Sequence, residues 1–203
     1  MRVMVIVAHS DDEVLGCGGS IYRHIQEGDD VKVIYMTPCI SSRGIKQEMV
    51  DERERALDIL GVKEWSVFDF PDQMLDTIPL LSLTKAIETE IKAWQPDLVY
   101  THHHIDPNRD HFITSLAVVP AVRQWRSTVK EVRLFEIPPL LSFEPNLYVD
   151  IDVDEKLDAF DAYESEKKKW PDPRSRFAIS VMAAARGTGR GGACEAFQSI
   201  RSI

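Results

Sequence analysis

The chain opens on an unbroken apolar run, Val3 to Ala8, that passes without a spacer into His9, Ser10, Asp11, Asp12 and Glu13. A run this short and this rich in β-branched residues predicts a strand buried on both faces, as parallel strands are. The same alternation of apolar runs and amphipathic stretches continues downstream. A helix is expected from about Gly18 to Glu27, stopped at Gly28, and a second strand from Val31 to Thr37. After a loop from Pro38 to Lys46, a charged amphipathic helix runs from Glu48 to Leu60 and ends at Gly61. Trp65 to Phe70 reads as a third strand, and Pro71, Asp72 and Gln73 turn out of it.

A helix from Leu80 to Trp94, ended by Gln95 and Pro96, leads into a fourth strand, Asp97 to Thr101. Phe112 to Arg123 reads as the next helix and Val132 to Ile137 as a fifth strand. Leu147 to Val153 is an extended piece of mixed character, Lys156 to Lys169 a charged helix and Ser175 to Ala185 an apolar one. Strands alternating with helices predict βαβ units, hence an α/β fold with a mostly parallel sheet flanked by helices. No internal repeat or low-complexity linker divides the chain, so one domain over residues 1–203 is expected.

In an open α/β sheet, ligands bind outside the carboxyl ends of the strands. His9, Asp11 and Asp12 follow one such end, and His9 and Asp12 are of the side-chain types a catalytic zinc uses. The small residues Gly16, Gly18 and Gly19 let a helix start close against the sheet. They fall short of a full dinucleotide fingerprint, and the acids before them would repel a pyrophosphate. A solvated acidic turn is the other reading of this stretch taken alone. The fourth strand also runs directly into chemistry: His102 to His111 gathers four of the six histidines and the carboxylates of Asp106 and Asp110 into one turn. Such a cluster points to a metal or catalytic loop, with His111 the best ligand candidate because it opens a helix. Arg43, on the Pro38 to Lys46 loop, is a candidate substrate contact or a solvated arginine. Asp110 is a candidate orienter of a ligand or a helix cap. His24, inside the first helix, reads as structural.

With 203 residues, 44% hydrophobic and 28% charged, the chain can bury a sizeable core. A net charge of -9 without a basic stripe argues against nucleic acid or an acidic membrane surface as partner. A small-molecule substrate is easier to accommodate. Cys17, Cys39 and Cys194 are odd in number and scattered, which suggests a reducing compartment and no disulfide framework. No apolar run approaches a membrane span or a signal peptide, so a cytoplasmic protein without membrane insertion is expected. Homo-oligomers are compatible with everything in the sequence. Arg186 to Gly192 suggests a Gly-rich lid carrying two arginines toward an anionic aglycone, or a loop with no ligand contact.

At this point the residues carry a resemblance. Ala8-His9-Ser10-Asp11-Asp12-Glu13 is similar to the A-H-P-D-D-E signature of the PIG-L/LmbE-like family of metal-dependent N-deacetylases. Tyr100 to His111 resembles the second signature of that family, T-H-x-x-x-D-x-N-x-D-H. Similar segments lie at Asp51 to Gly61, Phe70 to Pro79, Phe143 to Asp152, Trp170 to Ser175, Arg186-Gly187 and Glu195 to Phe197, so nearly the whole chain is covered. Two signatures in order on separate βα turns are far more specific than either alone.

The resemblance implies a Rossmann-like fold, a zinc site of His9, Asp12 and His111, and Asp11 as general base. It further implies removal of an N-acetyl group from an N-acetylglucosamine-type amino sugar or its conjugate. Fe(II), Co(II) or Mn(II) also suit two histidines and a carboxylate. The same donors suit a metal-dependent ester or phosphoester hydrolase, and a non-catalytic metal-binding module would also need them. The chain departs from the family pattern at Ser10, where Pro is usual, and at Asp172, in place of a common His. Asn108 stands where many members carry a His thought to stabilise the oxyanion. That role then falls to the metal, to the Asn108 amide, or to one of His102, His103 and His104.

Overall fold

The computed structural model describes residues 1–38, 40–41, 44–45, 47–123, 127–138 and 143–201. In chain order the elements are β1 (Arg2–Val7), α1 (Asp12–Gln26), β2 (Asp30–Tyr35), β3 (Ile40–Ser41), β4 (Gly44–Ile45), α2 (Gln47–Leu60), β5 (Glu64–Val67), α3 (Leu80–Trp94), β6 (Leu98–His102), α4 (Arg109–Ala121), β7 (Glu131–Phe135), β8 (Leu147–Asp150), α5 (Val153–Asp161), α6 (Arg176–Arg186) and β9 (Cys194–Arg201). A single 3₁₀ turn, Leu75–Thr77, precedes α3.

Seven strands form one sheet in the order β5-β2-β1-β6-β7-β9-β8. β5, β2, β1, β6 and β7 are parallel, and only β9 opposes its neighbours β7 and β8. β3 and β4 make a separate two-stranded hairpin. The chain leaves β1 toward β2 and β5, then returns to place β6 and β7 on the other side of β1. That reversal opens a crevice beyond the carboxyl ends of β1 and β6.

β1 is apolar from Val3 to Val7 because both of its faces are covered. Val3, Val5 and Val7 enter one core cluster with Leu57, Leu60, Tyr100, Phe160 and Phe197, while Met4 and Ile6 enter the other with Leu83, Ile87, Ile91 and Val118. The first helix begins earlier than the glycine pattern suggests: α1 starts at Asp12, and the backbone leaves helical geometry at Cys17, where φ is -147°. The glycines serve close approach. A Cβ on Gly16 would collide with the Phe135 ring, and one on Gly19 would lie 2.6 Å from the Ile151 side chain. α1 therefore lies tight against the sheet, and its first turn is brought to the crevice.

Other differences from the sequence reading lie in the second half. α5 ends at Asp161 and does not reach Lys169, and Lys156, expected on a charged surface helix, is buried. Its ammonium donates to the Leu15 carbonyl at 2.8 Å and to Glu195 at 2.6 Å. Glu195 in turn accepts from the Gly19 and Ser20 backbone and from the Ser20 hydroxyl. This buried node ties α5, β9 and α1 together. Lys167, expected at a helix end, pairs instead with Asp161 at 3.1 Å. β9 lies where no strand was expected, and the mixed segment Leu147 to Val153 divides into β8 and the start of α5. Cys17 and Cys194 are free and buried, while Cys39 lies outside the described residues. Among the described residues no helix is long and apolar enough to cross a membrane.

Candidate metal centre and catalytic cleft

The turn that follows β1 and the turn that follows β6 meet at the crevice. Ala8 donates its backbone N–H to His102 Nε2 at 3.0 Å and so ties the two strand ends together. From the first turn come His9, Asp11 and Asp12, and from the second His102, Asp106, Asn108, Asp110 and His111. His111 sits in the first turn of α4, whose start is fixed by the Asn108 side chain accepting from the Asp110 N–H at 2.9 Å. Ser10 leaves the first turn intact, since all three acids that follow it are buried.

His9 Nδ1 lies 3.3 Å from His111 Nε2 and 3.3 Å from Asp12 Oδ2, and His111 Nε2 lies 3.2 Å from Asp12 Oδ1. The far nitrogen of each ring faces a carboxylate: His9 Nε2 is 3.1 Å from Asp110 Oδ2, and His111 Nδ1 is 3.0 Å from Asp106 Oδ2. When each far nitrogen carries its ring's one proton, two imidazole lone pairs and a carboxylate face one another with no donor between them. Asp12 Oδ1 is buried and accepts no hydrogen bond. Three acceptors so arranged suit a cation. The edge of a tetrahedron with ~2.0–2.1 Å metal bonds is roughly 3.3–3.4 Å, close to the spacings of these donors. Among the described residues, His9, Asp12 and His111 are one of the side-chain groups able to hold a metal ion.

The electrostatics separate two adjacent acids. Burial works against the charge on Asp12, but the imidazoles of His111 and His102 hold its carboxyl well below the ordinary range. Burial pushes Asp11 the other way, well above the ordinary range, against the pull of the Arg174 guanidinium. His111 is driven up to about 9 by Asp12 and Asp106 in spite of its burial. A divalent cation between these donors would have to displace the His111 proton. His102 lies fully buried beneath His111, the two rings stacked 4.0 Å apart, and burial takes it down to about 4. It is a neutral support for the ring above it.

Asp11 lines an open cleft together with His9, Asp72, Asn108, Glu166 and Arg174. Its backbone is left-handed, with φ at 91°, a conformation uncommon for a residue other than glycine. Its Oδ2 lies 3.7 Å from Arg174 Nη1, which also donates to Glu166 at 2.8 Å. Asp110 accepts from the backbone of Gln73 and Leu75 besides its contact with His9, so a third loop is locked onto the site.

The structure therefore brings together His9, Asp11, Asp12, Asn108, Asp110 and His111. Arg43 lies outside the described residues. His103 donates from Nε2 to Gln198 Oε1 at 2.8 Å, and His104 is exposed against it, so neither lines the cleft. Of the two arginines on the Gly-rich segment, Arg186 is held by Glu136 at 2.8 Å and Arg190 stacks on Tyr148. His24 is engaged by Asp29 and the Tyr100 hydroxyl. Sequence reading gave no role to Asp106, although it stands in the second signature, nor to Arg174, within the Trp170 to Ser175 likeness. Asp72 and Gln73 lie within the Phe70 to Pro79 likeness without having been singled out, and Glu166 carries no local signal.

A family model described as PIG-L, GlcNAc-PI de-N-acetylase, matches residues 4–122. The protein described as uncharacterized deacetylase YaiS of Escherichia coli strain K12 is 31% identical over 152 residues, covering 72% of this chain and 80% of that one. Diacetylchitobiose deacetylase of Thermococcus kodakarensis is 29% identical over 106 residues, 48% of this chain and 39% of the relative. Among solved structures, the conserved protein TT1542 of Thermus thermophilus superposes with a TM-score of 0.85 at 25% identity, covering 99% of this chain and 95% of that one.

Proposed function

The chain belongs to the PIG-L family of deacetylases, and from that membership we propose that it is a metal-dependent hydrolase that removes the N-acetyl group from an N-acetylglucosamine-type amino sugar or conjugate. The observation that carries the reading is the convergence of His9 Nδ1, Asp12 and His111 Nε2 beside the buried acid Asp11. The donor set fits zinc best, and Fe(II), Co(II) and Mn(II) suit the same donors. Bound between these donors, the metal supplies a Lewis acid for the amide carbonyl and for a water molecule.

This chain's residues do the rest. Asp11, which the metal's positive charge would hold as a carboxylate against the upward push of its burial, takes the proton of the attacking water and passes it to the leaving amine. Arg174 holds the Asp11 carboxylate on its outer side. Asp110 and Asp106 fix the protonated far nitrogens of His9 and His111, which keeps the near lone pairs aimed inward. Asn108 has committed its Oδ1 to the Asp110 N–H, so the amide N–H₂ is what it offers to the cleft, a donor suited to the developing oxyanion. Diacetylchitobiose, which the Thermococcus relative is named for, sets the first substrate to try.

The test is acetate release by zinc-loaded protein from free, oligosaccharide-linked, nucleotide-linked, inositol-linked and lipid-linked N-acetylglucosamine. Release from one of these, abolished by chelation and restored by metal, is the expected result. Hydrolysis of esters or phosphoesters alone would give the site to the alternative hydrolase, and elemental analysis showing no metal would sink the site itself.

A further inference from the structure

Asp11 is flanked at its two ends by Glu13 and Arg174, and both of these are held by side chains from one turn of chain remote from Asp11 in sequence. Its backbone N–H donates to Glu13 Oε2 at 3.1 Å, while Glu13 Oε1 accepts from the Tyr163 hydroxyl at 2.5 Å. Glu13 and Tyr163 are both fully buried. At the other end, the Asp11 carboxylate faces Arg174, whose guanidinium is fixed by Glu166. Tyr163 and Glu166 belong to the same turn, closed by a bond from the Glu166 N–H to the Tyr163 carbonyl at 3.1 Å. Between them, Ser165 points elsewhere, donating its N–H and hydroxyl to Glu52 on α2 at 2.9 and 2.6 Å.

We propose that this turn after α5 is a two-point clamp that positions Asp11, with Tyr163 and Glu166 as positioning residues acting through Glu13 and Arg174. The inference rests on the reading of Asp11 as the base. The need for a clamp follows from the backbone. A left-handed aspartate relaxes toward the ordinary regions unless its surroundings over-determine it, and relaxing would swing the carboxylate out of the cleft. The Glu13 acceptor on the Asp11 N–H fixes the peptide, and the Arg174 guanidinium, anchored by Glu166, draws the side chain by charge across 3.7 Å. A carboxylate at Glu13 is a costly choice beside Asp11 and Asp12, where like charges crowd, and what it satisfies is the Asp11 N–H and the Tyr163 hydroxyl. The arrangement is explained when the orientation of Asp11 matters.

Ser165 supplies the internal control, because it shares the turn but not the connection to Asp11. Tyr163→Phe, Glu166→Gln and Ser165→Ala would be compared in the zinc-loaded full chain on N,N′-diacetylchitobiose, with metal content and melting temperature measured alongside. Tyr163→Phe and Glu166→Gln are each expected to lower kcat about 10- to 100-fold with KM within about twofold and metal retained, since small misplacements of a reacting group cost on that order. Ser165→Ala is expected to melt earlier with kcat unchanged. Crystal structures of the first two variants should show Asp11 rotated out of its left-handed conformation or its carboxylate turned from the cleft. That arm needs no turnover, and Glu166→Gln, at a half-buried site, keeps the test open if Tyr163→Phe fails to fold.

The clamp is overturned if both variants keep kcat within about twofold and Asp11 in place, or if Ser165→Ala loses kcat to the same extent. The reading of Asp11 itself stands apart: a fully active Asp11→Asn would overturn the base. An inactive Asp11→Asn beside a fully active Tyr163→Phe would remove only the clamp.

Discussion

Asp11 and Asp12 share a peptide bond, yet the turn after β1 sends one carboxylate to the cleft and the other to the histidines. The first is pushed up by burial and the second held down by His111 and His102, so the two acids are set for different work. Asp11→Asn keeps size and leaves the three ligands in place; metal content should stay at the wild-type level while acetate release falls roughly 10²–10⁴-fold, the usual contribution of a positioned base. Asp12→Ala should lose metal and activity together, because it removes an ionised ligand from between two imidazoles. Elemental analysis and an acetate assay on both variants decide it, and a metal-free Asp11→Asn would show that the roles are wrongly divided. These residues were legible in the sequence because they are contiguous and follow a strand without a spacer. Asp106 was quoted with its turn but given no role of its own. Asp72, Arg174 and Glu166 reach the site from other loops, and a loop acid carries little information in a chain with 33 acidic residues.

At the scale of elements, the parallel half of the sheet followed from buried apolar runs, whereas β9 did not. Cys194 to Arg201 mixes apolar and polar residues behind a Gly-rich stretch, and its pairing with β7 and β8 depends on contacts far along the chain. The start of α1 was misplaced for a related reason. Gly16, Gly18 and Gly19 are poor helix formers by propensity, but the close approach of Phe135 and Ile151 requires small residues there and the packing overrides the local preference. Lys156 was hidden by its own type, since lysine is rarely buried unless paired. Its node joins α5, which leads into the turn holding Asp11, to α1, which carries Asp12. Lys156→Met should therefore cost about 3 kcal/mol, because the buried Glu195 would lose its cation while the backbone donors of Gly19 and Ser20 remain. The urea midpoint of the variant checks this. A midpoint equal to the wild type would mean that the ion pair contributes nothing beyond what an apolar side chain supplies.

The whole molecule places His9, Asp11, Asp12, Asn108, Asp110 and His111 at one topological feature, the crevice where the sheet order reverses beside β1. The sequence placed both turns at carboxyl ends of strands without giving the strand order, and the candidate chemistry was legible because both flanking turns carry it. Gathering Asp11, Asp12, Asp72, Asp106 and Asp110 around two histidines sets like charges against one another in the native state, and a divalent cation bound among them offsets that repulsion. Binding to the folded chain alone stabilises it by about 2.7 kcal/mol when free metal is 100 times its dissociation constant. For a chain of 203 residues that corresponds to a rise in melting temperature of roughly 5–10 °C. Scanning calorimetry should show this rise when zinc is added to chelated protein. Asp11→Asn should retain it, and His111→Ala should lack it. Mg²⁺ should have little effect, because a hard cation gains little from two imidazoles. A melting temperature indifferent to zinc in the wild type, or a rise that survives His111→Ala, would place the bound metal somewhere other than these donors.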